Sequence, residues 1–377
     1  VGVSWISSTI LSRSDGWIAA AARRSAVAAA GSNGRASHKG VWIVEAHRAD
    51  GVFQGGGVKG LALAGALEEF ADRKAHPDKY FDDWVQLAGT SAGAIVAAYL
   101  ACGHSAADTL KLIGETRFAD FEDWGPGGPF FGGGLNLIRH HGLAPGNKFR
   151  EWFRTAIDNK TFGDIERSGR SLRIIATDIT RRQMLVLPKM LGEYSLTEGG
   201  ALIDPLSFPV ADAVRMSMSI PYFFQPVRLF HKDTGPSTIV DGGVLSNFPV
   251  WIFDVEREAK RPTFGFKLVG GRSAGAGLDT LARWLGWAVE MGIDIFHTTS
   301  EAWDEYWVRN STFVRTCAIS AGSVGTTQFN LGPLQQKELL DNGKAAAAKF
   351  LDEWRPEDYR NDHGYGLEAV KKEAVPT

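Results

Sequence analysis

Cysteine is almost absent: there are two in 377 residues, Cys102 and Cys317. They lie far apart and fit neither a disulfide framework nor a zinc-site spacing. They read as buried thiols, compatible with a reducing compartment. An excess of charge is missing too, with 41 Lys and Arg against 43 Asp and Glu and no basic tract. Nothing therefore argues for a nucleic-acid partner, or for binding driven by anionic lipid charge. No window holds the roughly 18 apolar residues that a membrane-spanning helix needs. Arg23 and Arg24 interrupt the apolar stretch from Trp17 to Ala30, where a secretory core region is continuous. Membrane contact is expected to be peripheral, and the setting cytoplasmic or membrane-peripheral, with secretion left open. No histidine pair has metal-ligand spacing, so no metal is expected.

Glycine is what the chain has in quantity, 44 residues, and it gathers where apolar strands give way to helical patterns. Gly51–Gln54 reads as a short strand running into Gly55-Gly56-Gly57. From Val58 to Phe70 the period becomes helical, with Leu61, Ala64 and Leu67 on one face. Trp84–Ala88 repeats the sequence of events: a strand, then Gly89-Thr90-Ser91-Ala92-Gly93, then a helical run to Ala101. This grammar indicates an α/β fold with a mainly parallel sheet. Further strands are expected over 171–177, 184–187, 237–240 and 262–269, and helices over 278–307 and 334–354. Residues 1–47 show no sustained period and read as a poorly ordered extension or leader. That leaves a catalytic domain at 48–352 and a frayed tail at 353–377. The stretch 124–134, glycines and prolines around Phe130 and Phe131, suits neither period. It is either an irregular surface loop or a lid over an acyl site.

Three segments carry candidate chemistry. Gly89-x-Ser91-x-Gly93 sits where a strand turns sharply into a helix. Such a turn lifts a serine hydroxyl clear of the backbone, and the helix N-terminus behind it favours developing negative charge. Gly55-Gly56-Gly57-Val58-Lys59-Gly60 fits two functional readings. One is a dinucleotide-binding turn, which wants an acidic residue closing a second strand about 20 residues on; Asp72 lies in the helical run and Asp78 in a charged loop. The other is an oxyanion hole made of successive backbone N–H groups. Asp241-Gly242-Gly243 follows a strand and, taken alone, is an ordinary turn signal. Nine histidines are present, and none occupies a glycine-marked loop in the Ser, Asp, His order of an α/β-hydrolase. His297, on the long helical stretch, is the remaining candidate for a triad base.

Taken together, the segments resemble the bacterial patatin-like phospholipases. FQGGGVKGLALAGALEEF (53–70) is similar to that family's oxyanion segment, LAGTSAGAIVAAYLACG (87–103) to its nucleophile elbow, and IVDGGVLSNFPV (239–250) to its Asp-Gly-Gly segment. Residues 210–227 resemble the family's segment before the aspartate, and residues 172–180 an earlier strand. The resemblance covers roughly Val52–Leu351 and implies a three-layer sandwich, a central sheet flanked by helices. It implies a Ser–Asp dyad of Ser91 and Asp241 without histidine, an elbow of Gly89, Thr90, Ala92 and Gly93, and a dyad motif completed by Gly242 and Gly243. It implies an oxyanion segment of Gly55, Gly56, Gly57, Val58, Lys59 and Gly60, no cofactor, and a lipid or ester substrate. Two rival readings stand beside it: an esterase with a Ser-His-Asp triad, and a nucleotide-binding protein using the Gly55–Gly60 loop.

Overall fold

The computed structural model describes residues 47–73, 79–116, 118–121, 142–254, 261–270, 313–322, 324–325 and 331–355. The loop at 124–134, the helix expected over 278–307 with His297, and the extension before residue 47 lie outside the described residues.

In chain order the strands are β1 (Arg48–Phe53), β2 (Asp83–Thr90), β3 (Gly142–Ala144), β4 (Ser171–Asp178), β5 (Gln183–Leu187), β6 (Tyr194–Ser195), β7 (Tyr222–Phe224), β8 (Val227–His231), β9 (Gly235–Asp241), β10 (Thr263–Val269) and β11 (Thr316–Ser320). The helices are α1 (Gly60–Asp72), α2 (Ala92–Ala101), α3 (Ala106–Glu115), α4 (Asn147–Ala156), α5 (Phe162–Arg167), α6 (Val210–Ser217) and α7 (Pro333–Glu353). Among the described residues nine strands form one sheet, in the order β11-β10-β1-β2-β4-β9-β8-β6 with β5 also on β4. From β11 to β4 all pairings are parallel. Beyond β4 they are antiparallel; β4 to β5 and β8 to β9 are joined by connections too short for a crossover. The sheet is therefore mixed: parallel across the glycine-turn repeats and antiparallel beyond them.

β4 is where the two halves meet. Its Ile174 and Ile175 pair with Gly89 and Thr90 of β2 and also with Leu187 and Val186 of β5. A strand has two edges, so β2 and β5 lie on opposite ones. One residue farther along, Ala176, Thr177 and Asp178 pair with β5 and with Asp241, Val240 and Ile239 of β9. β9 thus takes over the edge on which β2 ends. The two strands approach from opposite directions, and their last residues oppose neighbouring positions: Thr90 opposite Ile175, Asp241 opposite Ala176.

Helices flank the sheet. All ten residues of α2 are buried, as expected of a helix apolar on every side. α7 buries Leu339, Gly343, Ala347 and Leu351, an every-fourth-residue stripe, and packs on α1. An aromatic cluster fills the space between helices and sheet. Phe53 stacks on Phe266 with centroids 4.9 Å apart, Phe70 meets Phe264 at 5.2 Å, and Trp354 meets Phe264 at 5.3 Å. Side chains of this size dominate core burial, and here they anchor β1, β10, α1 and α7 to one another.

Candidate active site

Ser91 stands between β2 and α2 with φ 52° and ψ −125°. That conformation costs a residue bearing a Cβ on the order of 1–3 kcal/mol and persists only where the surroundings over-determine it. They do so here. A Cβ on Gly89 would land on the Gly93 carbonyl, and one on Gly93 would land on the Phe53 carbonyl, so the turn closes this tightly only with glycine at both positions. Thr90 Oγ1 donates to the Ser246 carbonyl at 3.0 Å. The Ser91 N–H donates to Ser217 Oγ at 2.8 Å, and that hydroxyl donates onward to the Ile175 carbonyl at 2.6 Å.

Asp241 closes β9 and is 1% exposed. Its Oδ1 accepts the Gly243 N–H at 2.7 Å, the ordinary turn bond of an Asp-Gly pair. Its Oδ2 is buried and makes no hydrogen bond among the described residues. Loss of hydration pushes this carboxyl up to about 7, against the Gly243 N–H and the Ser91 hydroxyl, both of which pull it down. The serine hydroxyl therefore lies within influence of the carboxylate. The same hydroxyl donates to Met218 Sδ at 3.5 Å. Met218 and Asp241 both face this hydroxyl.

The glycine loop lies against this pair. A Cβ on Gly55 would fall 3.1 Å from Ser91 Cβ. Asn247 clasps the loop at both polar atoms of Gly55: its carbonyl accepts the Gly55 N–H at 3.0 Å, and its Nδ2 donates to the Gly55 carbonyl at 3.2 Å. The Lys59 N–H donates to Gly56 at 3.2 Å, and the Gly60 N–H to Gly57. The expected segment Gly55–Gly60 therefore divides in two. The amides of Gly55, Lys59 and Gly60 shape the loop and are not open donors. Those of Gly56, Gly57 and Val58 make no hydrogen bond among the described residues.

The described histidines stand elsewhere. His104 stacks on Tyr99 at 3.8 Å, past the far end of α2 and about 15 Å along it from Ser91. His231 pairs with Gly235 across the β8–β9 hairpin, roughly 20 Å along β9 from Asp241. His47 packs against Tyr80 at the start of β1. Asp72, weighed as a ribose ligand, is the last residue of α1. No group of three or more His, Cys, Asp or Glu among the described residues is arranged to hold a metal ion.

Four residues of the site escaped the sequence reading as individuals. Ser217 and Met218 are met above, Ser219 accepts the Asp241 N–H on its carbonyl at 2.9 Å, and Asn247 holds the glycine loop. Ser217-Met218-Ser219 thus touches both Ser91 and Asp241. Buried Arg215 braces this tripeptide, donating to Ser219 Oγ at 2.6 Å and to the carbonyls of Pro145 and Gln225 at 2.6 and 2.7 Å. The serine pair ahead of Pro221 signals a helix end in the sequence, but nothing local in it names these contacts.

A helix-flanked mixed sheet with a strained serine turn at a strand end defines the class of α/β protein to which this chain belongs. The family model for patatin-like phospholipases matches residues 51–254, and the chain belongs to that family. The uncharacterized protein YqhO of Bacillus subtilis is 35% identical over 320 residues, covering 81% of this chain and 98% of that protein. The uncharacterized protein R571 of Acanthamoeba polyphaga mimivirus is 28% identical over 214 residues, covering 53% of this chain and 59% of its own. Among solved structures, VipD from Legionella pneumophila superposes with a TM-score of 0.49 at 17% identity, covering 81% of this chain and 67% of that one. Family membership supports lipid acyl hydrolysis. No helix among the described residues is long and apolar enough to cross a membrane.

Proposed function

We propose that the protein is a serine acyl hydrolase that cleaves carboxylic esters of lipids, of the phospholipid, lysophospholipid or acylglycerol type. Ser91 is the nucleophile and Asp241 its base. The observation that carries this reading is the shared edge of β4, where β2 and β9 end at adjacent positions. It sets a strained serine beside a buried carboxylate with one oxygen uncommitted.

The chemistry proceeds in two halves. Ser91 Oγ bonds to the ester carbonyl carbon while its proton passes to Asp241, and the carbonyl oxygen becomes an oxyanion. Donors for that charge are the amides of Gly56, Gly57 and Val58, each worth about 2.7–4 kcal/mol of barrier by analogy with other oxyanion holes. The C–O bond to the leaving alcohol then breaks, and the proton on Asp241 goes to that oxygen. Water next attacks the acyl-enzyme, gives its proton to Asp241, and releases the fatty acid with Ser91 reprotonated. A carboxylate is a weak base for a hydroxyl, and burial is what brings it towards the working pH. The packing of α7 on α1 supports treating 48–352 as one catalytic unit.

The test is turnover of a p-nitrophenyl acyl ester by Ser91→Ala and Asp241→Asn, both expected to abolish it with the fold retained. A fluorophosphonate probe should label Ser91 alone. Activity surviving in Asp241→Asn but lost in His297→Ala would replace the dyad with a triad. Binding of NAD(P) or ATP without serine labelling would favour the nucleotide reading instead.

A further inference from the structure

Any atom that bonds to Ser91 Oγ is constrained by what already surrounds that oxygen. Met218 Sδ lies 3.5 Å from it. A carbon attached to Oγ is one covalent bond away, roughly 1.5 Å, and so sits within about 5 Å of the sulfur whatever its direction. Contact between heavy atoms of apolar groups begins at about 4–4.5 Å. The reacting group therefore touches the thioether over most of its orientations, all but those that point away from the sulfur.

The other directions about that carbon are already assigned. A tetrahedral acyl carbon carries four substituents, of which one is Oγ itself. The oxyanion turns to the glycine-loop amides beside Ser91. The leaving oxygen must lie where Asp241 can return a proton to it. The acyl chain takes the fourth direction, and Met218 is an apolar neighbour of Ser91 Oγ placed to meet it. Met218 is 3% exposed. It is held between Ser217, bonded to the Ser91 N–H, and Ser219, bonded to the Asp241 N–H, so its backbone cannot drift from the dyad.

Resting on the Ser91–Asp241 reading, we infer that Met218 is a specificity-determining residue whose thioether forms the wall of the acyl pocket nearest the carbonyl carbon. An unbranched, three-torsion side chain adapts its shape to its neighbours. The wild-type wall accommodates straight acyl chains and crowds a branch at the carbon next to the carbonyl. Shortening it to alanine opens room at that carbon. Replacing it with phenylalanine closes the pocket to all but the smallest acyl groups.

The measurement is a ratio of kcat/KM values between two p-nitrophenyl esters on the same preparation, which cancels any loss of correctly folded protein. Met218→Ala should raise the ratio of 2-methylbutyrate to butyrate, and Met218→Phe should lower that of decanoate to acetate. Each change is expected to be about 10-fold or more, the usual range for one misplaced methylene. Met218→Leu, close in volume, should keep both wild-type ratios. Ratios within about twofold of wild type in both the Ala and Phe variants would overturn the inference. So would a series of leaving alcohols, at constant acyl group, that responds to Met218 while the acyl series does not. Ser91→Ala in the same assay separates the two levels: if it retains turnover, the dyad itself is wrong, whereas loss of turnover with unmoved ratios removes Met218 alone.

Discussion

The Ser217 hydroxyl accepts the backbone N–H of Ser91 at 2.8 Å while donating to the Ile175 carbonyl at 2.6 Å. The serine turn is thereby tied to β4, the strand that also aligns Asp241. Ser217 is fully buried, so water does not replace its hydroxyl when it is removed. Ser217→Ala leaves two buried backbone groups without partners, each costing about 1–3 kcal/mol. It also frees Ser91 to relax from its positive φ. We expect a lower Tm and, at a temperature where the variant is fully folded, slower fluorophosphonate labelling of Ser91. Labelling at the wild-type rate would mean that the turn holds its shape without this bond.

Asp241 sets the pH at which the proposed chemistry runs. A base must be ionised to take a proton, and burial holds this carboxyl at about 7. kcat/KM, which reports the free enzyme, should therefore rise with pH, pass half its maximum near 7 and level off above. A histidine base would give a similar midpoint. Temperature separates the two, because carboxyl ionisation has almost no enthalpy whereas imidazole ionisation is endothermic. A midpoint that falls clearly on warming would point to imidazole and away from Asp241.

Asn247 should matter to rate more than to binding. It holds Gly55 through one main-chain and one side-chain bond, and Gly55 leads directly into the three open amides. Asn247→Ala removes the side-chain half of the clasp and leaves the main-chain half. Displacement of a catalytic group by about 1 Å can cost on the order of 100-fold in rate. We expect kcat to fall by about 10-fold or more, with KM little changed. Asn247→Asp should not restore kcat, because a carboxylate cannot donate to the Gly55 carbonyl. A rise in KM at constant kcat would assign Asn247 to substrate binding instead.

Much of this architecture is legible along the chain, and the reason shows in particular elements. The strand expected over 171–177 runs Ser171–Asp178, and the helix expected over 92–101 runs Ala92–Ala101. Both depend on apolar periodicity and glycine turns, which are local. Two helices went unread although their N-termini carry capping boxes, Ser105 with Asp108 and Thr161 with Asp164; the sequence pattern for these is short but physical. What no local pattern carries is the shared edge of β4. A reader of the chain can mark Ser91 and Asp241 as ends of strands. That β2 and β9 stop at neighbouring positions on one partner depends on pairing between segments far apart in sequence. The contacts of Ser217, Met218 and Asn247 are long-range in the same way.

The carboxyl that serves the proposed chemistry should also weaken the fold, and pH reveals by how much. In the unfolded chain Asp241 ionises near its ordinary 3.8, whereas in the folded protein it does so at about 7. Below the lower value both states are protonated and nothing is lost. As pH rises between the two, the unfolded chain releases its proton and the folded one retains it, so stability declines. Above about 7 the loss is complete, on the order of 4 kcal/mol. Asparagine is neutral throughout, and Asp241→Asn escapes the decline. The variant's Tm should exceed that of the wild type at pH 8, with the gap shrinking steadily towards pH 4. Asp50, pushed up to about 6 chiefly by burial, is present in both proteins and cancels from the difference. A gap that is absent at pH 8, or that grows on acidification, would show that Asp241 is not the buried, uncommitted carboxylate that the proposed mechanism requires.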